Sequence, residues 1–143
     1  MSASLHPTES PGLLLWRTTL RWQRLMVAAL KPLGLTHVQF VLLASTWWLT
    51  TVAGEQPHQR RIADLAGTDP MMTSQVLRTL EGKGLVARTP DPGDSRARRI
   101  TVTPEGAALA RDAVRVVEAA DADFFRPVAD QAALLDVLRT LAE

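Results

Sequence analysis

Residues 59–102 read QRRIADLAGTDPMMTSQVLRTLEGKGLVARTPDPGDSRARRITV, and their punctuation decides the fold. Residues 59–66 make a short helix, Gly67-Thr68-Asp69 a tight turn, and residues 70–82 a second helix with Asp69 as its N-cap and Pro70 at its first position. The Asp carboxylate accepts from an amide left without a partner in the first turn, where a proline sacrifices no helical hydrogen bond. Gly82 and Gly84 end this second helix. Residues 85–89 and 98–102 read as two strands around the turn-rich Pro90-Asp91-Pro92-Gly93-Asp94. Two helices across a tight turn, followed directly by a β-hairpin, make a winged helix-turn-helix.

Outward from that unit the chain is helical. Downstream, Thr103 caps a helix with Pro104 at its first position; it runs to about Asp123 before Pro127 interrupts, and a last helix covers residues 129–142. Upstream, Leu13, Trp16, Leu20, Met26, Val27 and Leu30 alternate with arginines at helical spacing until Pro32 and Gly34 stop the helix. Thr36 followed by Gln39 matches the capping box and opens a helix to about Thr50, apolar on nearly every side, which Gly54 and Pro57 close. Residues 1–12, rich in Ser, Pro and Gly, read as a mobile arm. The expected fold class is mostly α with a small β-wing. A single domain, 13–143, divides into a winged helix-turn-helix lobe at 36–103 and terminal helices at 13–35 and 104–143.

Composition narrows the function. The 143 residues are 46% apolar, enough for a real core, and contain no cysteine, which excludes disulfides, thiol redox sensing and a cysteine-rich zinc site. No apolar run approaches the roughly 20 residues of a membrane span, since Arg17, Arg21 and Arg24 interrupt residues 13–30. The N-terminus lacks a secretory pattern, so a cytoplasmic address and no membrane partner are expected. A net charge of +1 conceals polarity along the chain: residues 56–103 hold eight basic against five acidic side chains, whereas residues 104–143 hold four against eight. The middle segment is the one suited to phosphates.

The candidate contacts lie in that segment. On the helix 70–82, Met72, Thr73, Val76, Leu77 and Leu80 share one face, leaving Met71, Ser74, Gln75 and Arg78 on the other. Ser, Gln and Arg side chains donate to phosphates and base edges, which is what a recognition helix in the major groove needs; an ordinary solvated face has the same polarity. On the wing, Arg96, Arg98 and Arg99 crowd the second strand, with Asp94 placed to hold the Arg96 guanidinium, and an arginine at a hairpin tip fits a narrow minor groove. Nothing suggests an enzyme. His6, His37 and His58 lie far apart with no metal-ligand spacing, and no Gly-rich phosphate loop occurs, so neither cofactor nor metal is expected. Trp16, Trp22, Trp47 and Trp48 read first as packing residues.

Leu65-Ala66-Gly67, Asp69-Pro70, Leu80-Glu81-Gly82-Lys83-Gly84-Leu85-Val86, Asp94-x-Arg96-Ala97 and Val102-Thr103-Pro104-Glu105-Gly106, in this order, resemble the MarR family. The resemblance covers about residues 13–142, and the Asp-x-Arg wing joined to the Thr-Pro-Glu-Gly helix start is its most specific part. It implies a homodimeric transcription regulator, usually a repressor, whose terminal helices form the dimer interface and whose lobes bind pseudo-palindromic double-stranded DNA. It also implies a small aromatic or lipophilic effector between the dimer helices and the lobe, a space that Trp16, His37 and Trp47 are placed to line. Two positions depart from the family pattern: Gln75 stands where a basic residue is usual, and His58 where a Ser or Thr cap is usual. The alternative is a winged helix that presents its Met71 face to a protein partner and shows no salt-dependent DNA affinity.

Overall fold

The structure, a computed structural model, describes residues 6–143 apart from the side chains at positions 95–97. Six helices and one hairpin appear in the expected order: α1 Pro11–Leu30, α2 His37–Trp47, α3 Gln59–Ala66, α4 Pro70–Gly82, β1 Val86–Asp91, β2 Asp94–Val102, α5 Pro104–Phe125 and α6 Gln131–Ala142. Every N-cap read from the sequence has its bond. The Thr36 hydroxyl accepts from the Gln39 amide at 3.2 Å while the Gln39 side chain accepts from the Thr36 amide at 3.1 Å; Asp69 accepts from the Met72 amide at 2.8 Å and Thr103 from the Gly106 amide at 3.0 Å.

The differences have local causes. Helix α1 begins at Pro11, inside the stretch read as an arm, because Ser10 accepts from the Leu13 amide; a 3-10 turn at Pro7–Glu9 precedes it. Helix α2 does not stop cleanly but widens into a π-turn, Trp48–Val52, where the Thr50 hydroxyl donates back to the Thr46 and Trp47 carbonyls. The strands reach farther toward the tip than 85–89 and 98–102. They pair antiparallel from Val86 opposite Val102 to Pro90 opposite Arg98, with an irregularity before Asp91. Helix α6 starts at Gln131, where Asp130 accepts from the Ala133 amide at 2.9 Å.

One core joins these elements. Met26 and Leu30 of α1, Leu42, Leu43 and Leu49 around α2, Ile62 of α3, Leu77 and Leu80 of α4 and Ile100 of β2 are fully buried together with Ala110 and Ala113 of α5. Helix α1 is also keyed to α5 by the Trp22 indole N–H, which donates to Asp121 at 2.8 Å. Of the α4 face assigned to the core, Thr73, Leu77 and Leu80 are buried, but Met72, in the first turn, is 43% exposed. Among the described residues no single helix is long and apolar enough to cross a membrane.

Helix α5 meets the root of the hairpin at backbone distance. A Cβ built on the buried Gly106 would lie 1.9 Å from the Leu85 carbonyl oxygen and 2.8 Å from its carbonyl carbon. Those are backbone atoms with no rotamer to change, so Gly106→Ala should destabilise the fold by upward of about 2 kcal/mol, as overpacking against rigid neighbours does. Thermal or urea unfolding of the two proteins checks this, and a melting temperature unchanged by the added methyl would contradict it.

Candidate nucleic-acid interface

Helix α4 turns one face outward because Thr73, Leu77 and Leu80 are anchored on the other. The Thr73 hydroxyl donates to the Asp69 carbonyl at 2.7 Å and lies 2.6 Å from the Thr68 hydroxyl, which fixes the turn between α3 and α4 as well. Met71 (80% exposed), Gln75 and Arg78 follow one another at i, i+4 and i+7 on the outward face. Ser74 is half-buried beside them, and its hydroxyl accepts from Arg78 Nη2 at 3.1 Å, so one turn of helix holds the guanidinium in place. The four residues read from the sequence therefore form one contiguous patch at the start and middle of α4.

On the hairpin the candidates separate. Arg98 is exposed. Arg99 is half-buried instead: its Nη2 donates to Asp91 Oδ1 at 3.3 Å and its Nε is buried without an acceptor, so this side chain serves the hairpin rather than its outer surface. Asp94 is exposed at the start of β2; the Arg96 side chain, and with it the expected Asp94–Arg96 pairing, lies outside the described residues.

Asp91, in sequence only a turn residue, organises the wing in the structure. One carboxylate oxygen accepts from the Gly93 amide at 2.8 Å and from Arg99, while the other lies 2.6 Å from His58 Nε2 at the start of α3. The Gly93 amide, followed by His58 and Arg99, holds this carboxyl below the ordinary carboxylate range against the opposing effect of burial. An Asp two residues before a Gly in a tight turn is a sequence signal for the first bond. The bond to His58 spans 33 positions and has no such signal. His58 occupies the N-cap of α3 yet makes no side-chain cap bond.

Several cations of the middle segment are engaged within the chain. Arg61 forks onto Glu55 at 3.1 and 3.2 Å, Arg88 lies 3.7 Å from Glu81, and Lys83 donates to the Gly34 carbonyl at 2.9 Å and to Gln39 at 3.2 Å. Arg60, Arg78 and Arg98 are exposed.

The three residues expected to line one effector space do not share a cavity in the chain. His37 borders a cavity of about 390 Å³ with Gln23, Val27, Val41 and Thr68, and its ring meets Trp22 edge-on at 5.0 Å. Burial lowers the His37 pKa, opposed by the charge of Asp121. Trp47 borders a different cavity of about 400 Å³ with Phe40, Trp48, Leu65, Val114 and Glu118, and its indole N–H is buried without an acceptor. Trp16 is 62% exposed on α1 and lines neither. His37 and Trp47 stand at opposite ends of α2, on the order of 15 Å apart along its axis, which is why one pocket does not reach both. Among the described residues no group of three His, Asp or Glu side chains is placed to hold a metal ion.

Residues 35–97 match the MarR family. YdcH of Bacillus subtilis (strain 168), a helix-turn-helix-type transcriptional regulator, is 42% identical over 119 residues, 83% of this chain and 80% of that protein. Rv2887 of Mycobacterium tuberculosis, a helix-turn-helix-type transcriptional repressor, is 37% identical over 113 residues, 78% of this chain and 76% of its own length. Among solved structures, the repressor CouR bound to a 23-mer DNA duplex superposes with a TM-score of 0.83 at 27% identity, covering 100% of each chain. CouR from Rhodococcus jostii RHA1 bound to p-coumaroyl-CoA superposes with a TM-score of 0.80 at 28% identity, covering 97% of this chain and 93% of that one. With relatives this similar over most of its length and a winged helix-turn-helix of matching architecture, the chain belongs to the MarR family of transcription regulators.

Proposed function

We propose that the chain is a homodimeric repressor that binds a pseudo-palindromic operator in double-stranded DNA, and so works where the chromosome is, in the cytoplasm. The observation that carries this reading is the joint placement of an outward α4 face, with Met71, Ser74, Gln75 and Arg78, and a hairpin bearing exposed Arg98. In this reading α4 enters the major groove, with Gln75 suited to an adenine edge and Met71 to a thymine methyl, while the wing arginines Arg96 and Arg98 follow the backbone into the minor groove. Asp94 and Arg99 support the wing from within it. The lobe at 36–103 binds DNA, and residues 13–35 and 104–143 pair two copies.

The pairing follows from apolar surface left uncovered. Helix α6 has no buried residue in the single chain, and its Leu135, Val137, Leu138 and Leu141 are 41–69% exposed. Leu13, Leu14, Leu15 and Trp16 on α1 are 38–62% exposed. Two apolar stripes at the two ends of one chain suit a second copy of that chain under two-fold symmetry. A small aromatic or lipophilic effector is the second part of the reading, supported by the cavity beside Trp47, whose indole N–H lacks an acceptor between α2, α3 and α5.

Light scattering at micromolar concentration should give twice the 15.6 kDa chain mass, and a monomer would remove the two-half-site arrangement with contacts about one helical turn apart. Against a duplex selected from a random pool, Arg96→Ala and Arg78→Ala should each weaken binding by roughly 1–3 kcal/mol. The losses should differ in kind: a wing contact acts on all sequences and lowers the salt slope by about one ion, whereas a base contact relaxes preference at one position. Unchanged titrations for both would favour a protein-interaction role. Aromatic carboxylic acids or lipophilic compounds that enter the Trp47 cavity should quench tryptophan fluorescence and shift the DNA titration; no response in either returns Trp47 to plain packing.

A further inference from the structure

We infer that His58 is a positioning residue for DNA binding, which clamps the outer half of the wing to the start of α3 through Asp91. This inference rests on the DNA-binding reading above.

Three observations converge on it. The first is what His58 does not do: it stands at the N-cap of α3 with extended backbone, yet its side chain satisfies no amide of the first turn. The second is where the ring goes instead, with Nε2 2.6 Å from Asp91 Oδ2, a carboxylate whose other oxygen closes the hairpin turn through Gly93 and ties β2 through Arg99. The carboxylate therefore links three pieces of chain: the hairpin turn, the second strand and the head of α3. The third is the backbone beside it. The Ile100 amide donates to the Pro57 carbonyl at 2.9 Å, and His58 and Arg99 form an isolated antiparallel bridge, so the residues leading into α3 lie beside β2.

Position along the hairpin makes the clamp consequential. The root is held where Val86 pairs with Val102, and Asp91 lies at the far end of that register, opposite Asp94. A two-stranded ribbon anchored only at its root is free to swing and twist. The His58 contact fastens it near the tip. Because α3 is joined to α4 by the short Gly67–Asp69 turn, whose Thr68 hydroxyl bonds Thr73 of α4, anchoring the hairpin to α3 also fixes its distance from the outward α4 face. Groove contacts from α4 and the wing then need no mutual adjustment on binding, which removes an ordering cost.

A single substitution separates positioning from stability. His58→Ser restores a capping oxygen to α3 while withdrawing the reach to Asp91, so its melting temperature should equal or exceed that of the parent. Its affinity for a duplex selected on the parent protein, read by fluorescence anisotropy, should nevertheless fall roughly three- to tenfold, the size of a coupled contact. His58→Gln, whose amide still reaches the carboxylate, should restore affinity to within about twofold of the parent. With the wing blunted by Arg96→Ala and Arg98→Ala together, His58→Ser should have no further effect on affinity. Parent-like binding by His58→Ser overturns the inference, as does a loss that persists undiminished on the blunted wing. Should blunting the wing leave the parent's own affinity untouched, the failure lies in the wing's assignment to DNA, and the positioning role falls with it.

Discussion

The contact between Gly106 and the Leu85 carbonyl is the constraint on which the remaining architecture depends. At this junction the end of α4, the root of the wing and the head of the long helix α5 meet within van der Waals distance. The Leu85 amide donates to the Leu80 carbonyl of α4, and the Leu85 carbonyl in turn accepts from the Thr103 amide. The Thr103 hydroxyl donates to the Gly84 carbonyl at 2.6 Å and accepts from the Gly106 amide. Gly84 takes the positive φ of 73° that the αL end of α4 requires, and only a residue without a Cβ fits at 106. Two backbone–backbone bonds, two bonds through the Thr103 hydroxyl and two glycines thus fix the angle between α4, the hairpin and α5.

That rigidity changes how the charge of the middle segment is to be understood. Eight cations in residues 56–103 suggest a uniformly basic face, but the structure divides them. Arg61, Lys83, Arg88 and Arg99 lie against acids or carbonyls of the chain itself. The more exposed of these, Arg61 with Glu55 and Lys83 with its partners, contribute little to stability, whereas Arg88 and Arg99 are half-buried against their carboxylates. The outward set is smaller and geometrically definite. Among the described side chains it is Arg60 on α3, Arg78 on α4 and Arg98 on β2, and the Leu85–Gly106 junction and the Asp91 contacts lie between the elements that carry them.

Legibility in the sequence follows the range of the interaction. The caps at Thr36, Asp69 and Thr103 were readable because each bond joins residues three apart, and the helix-turn-helix was readable because glycine and proline punctuate it. The outward face of α4 was readable from its period, except at Met72, which the period assigns to the core and the structure leaves 43% exposed in the first turn. Asp91 was legible only as a turn former. Its bond to His58 depends on how far the hairpin extends and on which side of α3 it lies, and neither is written in any local window. The same holds for the three residues expected to line one effector space: the length of α2 separates His37 from Trp47, and Trp16 lies on an exposed face of α1.

Besides the shared apolar core, two polar contacts of very different strength join the lobe to the long helices and the turn between α1 and α2. One join is the backbone junction at Leu85 and Gly106, where displacement would break paired amides and carbonyls that have no nearby substitutes. The other is Lys83, an exposed side chain at the C-terminal end of α4 that donates to the Gly34 carbonyl and to Gln39 of the α2 capping box. An ammonium leaving such partners is met by water at small cost. Lys83 therefore restrains the spacing between α4 and the turn joining α1 to α2 only weakly, whereas the Gly106 junction holds α4, the hairpin root and α5 firmly together.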